Sequence, residues 1–364
     1  MHTELLKIIE GGLKKDISKV TSYAQLLADN LRKSGDAKFA DRINSILRNH
    51  DGNNASFDYL TTAPVDQESR LNMADIILPL EHLPDIVLEE SVERAISDFI
   101  AFANNRDVLQ KAGLEVNPSL LLYGPPGCGK TTLAFYIAKQ MKLPIVRARL
   151  DTLVSSLLGN TAKNIRRIFD YASSRPCILL LDEFDAIGKA RDDQHELGEL
   201  KRVINSLLQN IDAFAQGGIL IAATNHHELL DKAIWRRFNY IVEIGKPELK
   251  TLSELIKNYS NGFADNIFKD EKKAIALGNA FLGLSFADVK TVCTKAASKV
   301  IIESRGDLTF EDLLAELFLF KNGHKQDKPS VANFLLENGS NRNVIAKFLN
   351  TPYHQVAAWV KNEQ

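Results

Sequence analysis

The run Gly124-Pro125-Pro126-Gly127-Cys128-Gly129-Lys130-Thr131 has the composition and spacing of a loop that wraps phosphate. Its glycines permit a tight turn and a close backbone approach, so amide N–H groups converge on the anion and the next helix adds its positive end. Lys130 is placed to reach the β- and γ-phosphates of a nucleoside triphosphate, and the Thr131 hydroxyl to ligate Mg²⁺. The cofactor-binding set read from this run is Gly124, Pro125, Pro126, Gly127, Cys128, Gly129, Lys130, Thr131 and Thr132. Some fifty positions on, ILLL ends in Asp182-Glu183. Asp182 is expected to hold Mg²⁺ with Thr131, and Glu183 to polarise an attacking water as general base. Asp185 is expected to support that turn.

Such residues work only at the ends of rigid elements. The runs LLLY (120–123), PIVRA (144–148), CILLLD (177–182), ILIAAT (219–224) and YIVEI (240–244) are apolar enough for strands buried on both faces of a parallel sheet. Helical stretches alternate with them, which predicts an α/β fold: a parallel sheet flanked by helices. The 364 residues divide by texture into a helical segment (1–50), a polar linker (51–74), the α/β nucleotide-binding domain (75–245), a helical lid (246–322) and a C-terminal segment (323–364). A formal net charge of −1 gives no global pull toward nucleic acid or membrane. The three cysteines form no CxxC pair, which argues against a disulfide framework. Charges in the opening residues and the lack of an apolar stretch of ~18 residues argue against a signal peptide or membrane span, and a cytoplasmic protein is expected.

GPPGCGKTT, LLLDEFDAI, ILIAATN and LLDKAIWRRF occur in an order and spacing that resemble the AAA family of ATPases within the AAA+ class of P-loop NTPases. The resemblance covers roughly residues 75–320 and implies ATP hydrolysis with Mg²⁺ in a ring, a hexamer in many members. It implies that Asn225 is the sensor that positions the hydrolytic water, and that Arg236 and Arg237 face the γ-phosphate of a neighbouring subunit. Family members place two residues between these arginines, whereas here they adjoin; the finger is assigned to Arg237 with Arg236 in support. Ala287, within LSFADVK (284–290), is expected near the nucleotide, where other branches carry an arginine. Arg166, Arg167 and Arg202 resemble the family's intersubunit residues.

In members that unfold proteins, the loop equivalent to 153–159 carries an aromatic residue that grips a threaded chain; here Leu157 stands in its place. Near the C-terminus, Asn343–Leu349, a turn at Asn350, and a second helix with Thr351 as cap and Pro352 at its first position resemble a helix-turn-helix. Its outward residues would be Tyr353, His354, Ala357, Ala358 and Lys361, a weakly basic face. Three functions follow: an ATP-driven ring that remodels a protein partner or client, with a protease as one such partner; a DNA-associated ATPase switch or loader; and a nucleotide-gated scaffold.

Overall fold

Strands with apolar side chains on both faces need cover on both, and the folded chain supplies it with helices. In the computed structural model, which describes residues 2–14, 16–50, 73–78, 86–150, 161–185, 197–215, 217–260, 262–323 and 327–361, the chain divides into two compact units. The first comprises Met1–Ile86, Glu90–Gly124 and Lys130–Ile244; the second comprises Val87–Glu89, Pro125–Gly129 and Gly245–Gln364.

The first unit is built on a six-stranded sheet of order β1-β3-β4-β5-β2-β6. The strands are β1 (Ala74–Ile77), β2 (Ser119–Tyr123), β3 (Ile145–Ala148), β4 (Ile178–Leu181), β5 (Ile219–Thr224) and β6 (Tyr240–Glu243). β4 and β5 are buried at every position, and β2 at all but Tyr123, as their unbroken apolar runs require. All neighbours are parallel except β1, an edge strand antiparallel to β3. β1 was not foreseen as a strand. Its residues are few and partly polar, and its pairing with β3 is reinforced by Asp75, which meets Arg147 at 3.1 Å and Arg149 at 2.9 Å.

Helices α1 (His2–Leu13), α2 (Ile17–Lys33) and α3 (Ala37–His50) share a small core of Leu27, Ala28, Leu31 and Ala40 and belong to this same unit. Helices α4 (Glu90–Asn104), α5 (Arg106–Lys111), α6 (Lys130–Met141), α7 (Thr161–Ser173), α8 (Leu197–Ala215) and the short α9 (Lys232–Trp235) complete it. Ile165, Ile168 and Phe169 of α7 and Leu207, Ile211 and Phe214 of α8 pack with Leu179, Leu181 and Leu220 of the sheet.

The second unit is helical: α10 (Leu249–Tyr259), α11 (Glu271–Phe281), α12 (Phe286–Ile302), α13 (Phe310–Lys321), α14 (Lys328–Glu337), α15 (Arg342–Phe348) and α16 (Tyr353–Lys361). Capping boxes start two of these helices, Ser285 with Asp288 and Thr309 with Asp312, each satisfying amide donors that the first turn leaves open. One core joins Leu252, Phe281, Val289, Leu313 and Leu317 to Leu335, Ile345 and Val356, so the last three helices share the hydrophobic interior of α10–α13. Asn350 takes the left-handed conformation (φ 47°) between α15 and α16, as the turn reading requires. Thr351 differs from its expected capping role: its hydroxyl donates to the Leu349 carbonyl at 3.0 Å. Tyr353, His354 and Ala358 are exposed and Ala357 is half-buried. Among the described residues, no helix is long and apolar enough to cross a membrane.

Candidate active site

β2 delivers the chain to the phosphate loop at Gly124, whose φ of 139° is open to glycine. A Cβ there would lie 2.2 Å from the carbonyl oxygen of Ile244, so the close approach of these two backbones depends on hydrogen at that position. Lys130 opens α6, is buried, and donates from Nζ to the Gly124 carbonyl at 2.8 Å. In the second unit, Gly127 (φ 74°) packs against Ser285 and Ala287: a Cβ would come within 2.6 Å of the Ser285 hydroxyl, and the Ala287 amide donates to the Gly127 carbonyl at 3.0 Å. This brings Ala287 to the loop by its backbone. Cys128 is buried, Pro125 and Gly129 are half-buried, and Pro126 and Thr132 are exposed.

The two halves of the motif meet in the first unit. The Thr131 hydroxyl lies 3.2 Å from each carboxylate oxygen of Asp182, although the two are 51 positions apart. An alcohol and a carboxylate side by side form a hard-oxygen donor set that fits Mg²⁺, which takes one or two protein oxygens and draws the rest from phosphates and water. Asp182 also accepts from the Glu183 amide at 3.1 Å. Glu183 has φ 51°, costly for a residue with a Cβ, and it is held there from both sides. Before it stands the anchored Asp182. After it, the Phe184 amide donates to the Ala223 carbonyl at 2.8 Å, and the Phe184 ring is fully buried edge-on to Phe238. The result is an exposed Glu183 side chain on a rigid backbone.

Asp185 is 3% exposed and binds the neighbouring strand end. Its Oδ1 accepts from the Thr224 hydroxyl at 3.2 Å and from the Asn225 amide at 3.3 Å; Thr224 in turn accepts from the His226 amide at 3.1 Å. Asn225 is thereby tied to the turn that carries Glu183.

Arg236 and Arg237 differ sharply. Arg237 donates from Nη1 to the Ala233 carbonyl at 2.7 Å and pairs with Asp212 of α8 through Nε at 3.3 Å. Arg236 is exposed, and its guanidinium makes no hydrogen bond or ion pair among the described residues. The Asp212 pairing had no signal in the sequence, because an acidic residue on a distant helix face is unremarkable until the fold places it. Arg166 pairs loosely with Asp170 at 3.8 Å, both exposed, and Arg167 donates to Asn164 at 3.5 Å. The loop 153–159 with Leu157, and the Arg202 side chain, lie outside the described residues.

Residues 120–246 match the family described as "ATPase family associated with various cellular activities (AAA)". The chain is 39% identical over 246 residues to a protein of Sinorhizobium fredii named "Uncharacterized AAA family ATPase y4kL", an alignment covering 67% of this chain and 73% of that one. The chain belongs to the AAA family of ATPases. It is also 32% identical over 270 residues to a proteasome-activating nucleotidase of Methanococcus vannielii and 31% identical over 253 residues to the 26S proteasome regulatory subunit S10B homolog B of Arabidopsis thaliana. These alignments cover 70% and 68% of this chain but only 65% and 61% of the relatives' own lengths. The crystal structure of the FIGL-1 AAA domain superposes with a TM-score of 0.55 at 21% identity, covering 73% of this chain and 92% of that one, which supports the fold. This AAA protein is therefore an ATPase, and its α/β sheet with flanking helices is the family's nucleotide-binding fold.

Proposed function

We propose that this AAA ATPase is an ATP-driven remodelling machine that works as a ring, a hexamer on the family pattern, upon a protein partner. Support for the protein partner comes from the proteasome-activating nucleotidases among its relatives, whose name ties their nucleotide chemistry to a protease. The observation that carries the hydrolytic reading is the meeting of Thr131 with Asp182 at 3.2 Å beside the conformationally fixed Glu183.

In this reading Gly124–Gly129 wraps the phosphates with backbone amides, and Lys130 leaves its Gly124 carbonyl partner for the β- and γ-phosphates. Thr131 and Asp182 hold Mg²⁺, which when bound offsets the charge on the phosphate oxygens. Glu183 takes the proton of the attacking water, and Asn225 orients that water. Arg236 and Arg237 serve the site of the neighbouring subunit, and the Asp212 pairing of Arg237 gives the exposed Arg236 the stronger claim to be the finger, with Arg237 positioning it. The decisive variant is Glu183→Gln, which keeps shape and loses basicity. It should bind ATP as the wild type does, lose turnover by ~10²-fold or more, and retain partners long enough for capture by pull-down. Loss of ATP binding in parallel with turnover would remove Glu183 from the role of base.

A second reading rests on the turn at Asn350 and the packing of Ile345 and Val356, both 0% exposed, which support a helix-turn-helix in α15–α16. If that face reads DNA, removing 323–364 abolishes DNA retention while ATPase activity persists; a full-length chain that retains no DNA rejects it.

A further inference from the structure

Three functional segments of the first unit meet at one group of rings. Tyr123 closes β2 and directly precedes Gly124 of the phosphate loop. His227 follows closely on Asn225, and Trp235 is the last residue of α9, directly before Arg236. The ring centroids of Tyr123 and His227 are 4.9 Å apart, those of Tyr123 and Trp235 5.4 Å, and those of His227 and Trp235 6.2 Å. Trp235 meets both neighbours edge to face, at 74° and 90°, so the positive rim of one ring lies against the negative face of the next. Each corner has its own anchor. The Tyr123 hydroxyl donates to the Glu243 carboxylate at 3.3 Å, and its carbonyl accepts from the Ile244 amide at 2.7 Å. His227 Nδ1 lies 3.6 Å from the Glu228 carboxylate, and Trp235 packs on the core that holds Ile234 and Phe238.

These rings do not fill an interior: Tyr123 and Trp235 are half-buried and His227 is exposed. Their consequence is for α9. This helix has four residues, a single turn, and nucleating a turn costs more than its few hydrogen bonds recover, so tertiary contacts must hold it. Asp231 fixes its start, accepting from the Ala233 amide at 3.1 Å. Ile234, 3% exposed, fixes its inner side. Arg237 is tied down by Asp212. Arg236 has no such tie among the described residues, and its guanidinium takes its direction from the backbone of the turn that ends at Trp235.

We propose that Trp235 is a positioning residue for the arginine finger: packed against Tyr123 and His227, it fixes the turn that presents Arg236 to the nucleotide of a neighbouring subunit. This rests on the reading of Arg236 as the finger given above. A finger stabilises transition-state charge only when its guanidinium is already held where that charge develops, so a loosened turn lowers kcat and spares ATP binding. Tyr123 borders the phosphate loop and His227 the sensor segment, so the rings set the finger in the same frame as the nucleotide site of its own subunit.

The test uses the full-length chain. Trp235→Ala should lower kcat by about tenfold or more while ATP affinity stays within about twofold of wild type. Trp235→Phe, which keeps a ring against Tyr123, should restore most of the lost turnover. Mixing Trp235→Ala with Lys130→Ala subunits should recover part of the activity, because the Trp235→Ala subunit keeps an intact loop and receives an intact finger from its neighbour. A residue of stability alone gives no such recovery. If Trp235→Ala does not fold, His227→Ala, which removes an exposed ring, takes its place, with the same fall and the same recovery expected. In an Arg236→Ala background, Trp235→Ala should change kcat by less than about twofold, since the group it places is gone. Wild-type turnover in Arg236→Ala alone ends the finger reading and this proposal with it. With Arg236→Ala impaired, the proposal alone is overturned by any of three results: unchanged kcat in Trp235→Ala, its full loss repeated in the Arg236→Ala background, or no recovery in verified mixed rings.

Discussion

Asp185 lies in neither half of the phosphate motif, yet its contacts make it the residue whose change should report most clearly on how the site is held. Its Oδ1 accepts from the Thr224 hydroxyl at 3.2 Å and from the Asn225 amide at 3.3 Å, in a place only 3% exposed. Asp185→Asn keeps an oxygen acceptor but removes the charge. Hydrogen bonds to a charged group contribute about 1.5–3 kcal/mol and neutral ones about 0.5–1.5. At a difference of about 1–1.5 kcal/mol per bond, the two bonds lose about 2–3 kcal/mol. Asp185→Ala removes the acceptor altogether and leaves two donors at a buried position, which costs more. If this energy is what holds Asn225 against the turn of Glu183, it should appear in the chemical step. At ~1.4 kcal/mol per tenfold, kcat falls about thirtyfold to a hundredfold in Asp185→Asn and further in Asp185→Ala. Nucleotide affinity should stay within about twofold of wild type, because Lys130 and the loop glycines sit on other elements and are untouched. The assay pairs steady-state ATPase kinetics with equilibrium binding of a fluorescent nucleotide and a thermal melt. A proportionate loss of affinity and kcat would refute the positioning argument. So would a lowered Tm with kcat unchanged, which would make Asp185 a residue of stability alone.

Gly124→Ala should lower nucleotide binding severely, because the new Cβ would lie 2.2 Å from the Ile244 carbonyl oxygen and the backbone φ is 139°; calorimetry showing wild-type affinity would contradict the close-approach reading. Arg236→Ala should reduce turnover at least as much as Arg237→Ala while leaving ATP binding intact. Mixing Arg236→Ala with Lys130→Ala subunits should restore part of the activity, since some mixed interfaces join an intact loop to an intact finger. No recovery in verified mixed rings would count against action on a neighbouring subunit. Asp312 is pushed up by burial but pulled down more strongly by Arg305 and Thr309, so its folded-state carboxyl lies below the ordinary value. Its stabilisation is therefore complete above the unfolded pKa of about 4 and disappears as pH falls through the lower folded value. Denaturant melts at pH 7 and in strong acid should show Asp312→Asn less stable at the former and level with wild type at the latter.

Chemistry carried by adjacent residues was open to reading before any fold was known. A phosphate loop is contiguous, so the glycines, Lys130 and Thr131 announce themselves by order alone, and ILLL before Asp182-Glu183 declares a strand that ends in carboxylates. The central strands were legible for a related reason: burial on both faces demands an unbroken apolar run, which β4 and β5 show. The edge strand β1 had no such signature, since an edge is half-buried and its identity lies in pairing with β3, where Ala74 meets Ala148, 74 positions away. Contacts of this kind belong to tertiary structure. Asp185 under Asn225, Phe184 against Phe238 and the capture of Arg237 by Asp212 each join segments that nothing in their local spacing relates. The same holds for the gathering of Tyr123, His227 and Trp235 into one group of rings. Local order records which groups are available, because backbone preference and periodicity act over a few residues; which groups face each other is decided by the packing of a whole core, and only the folded chain contains that information.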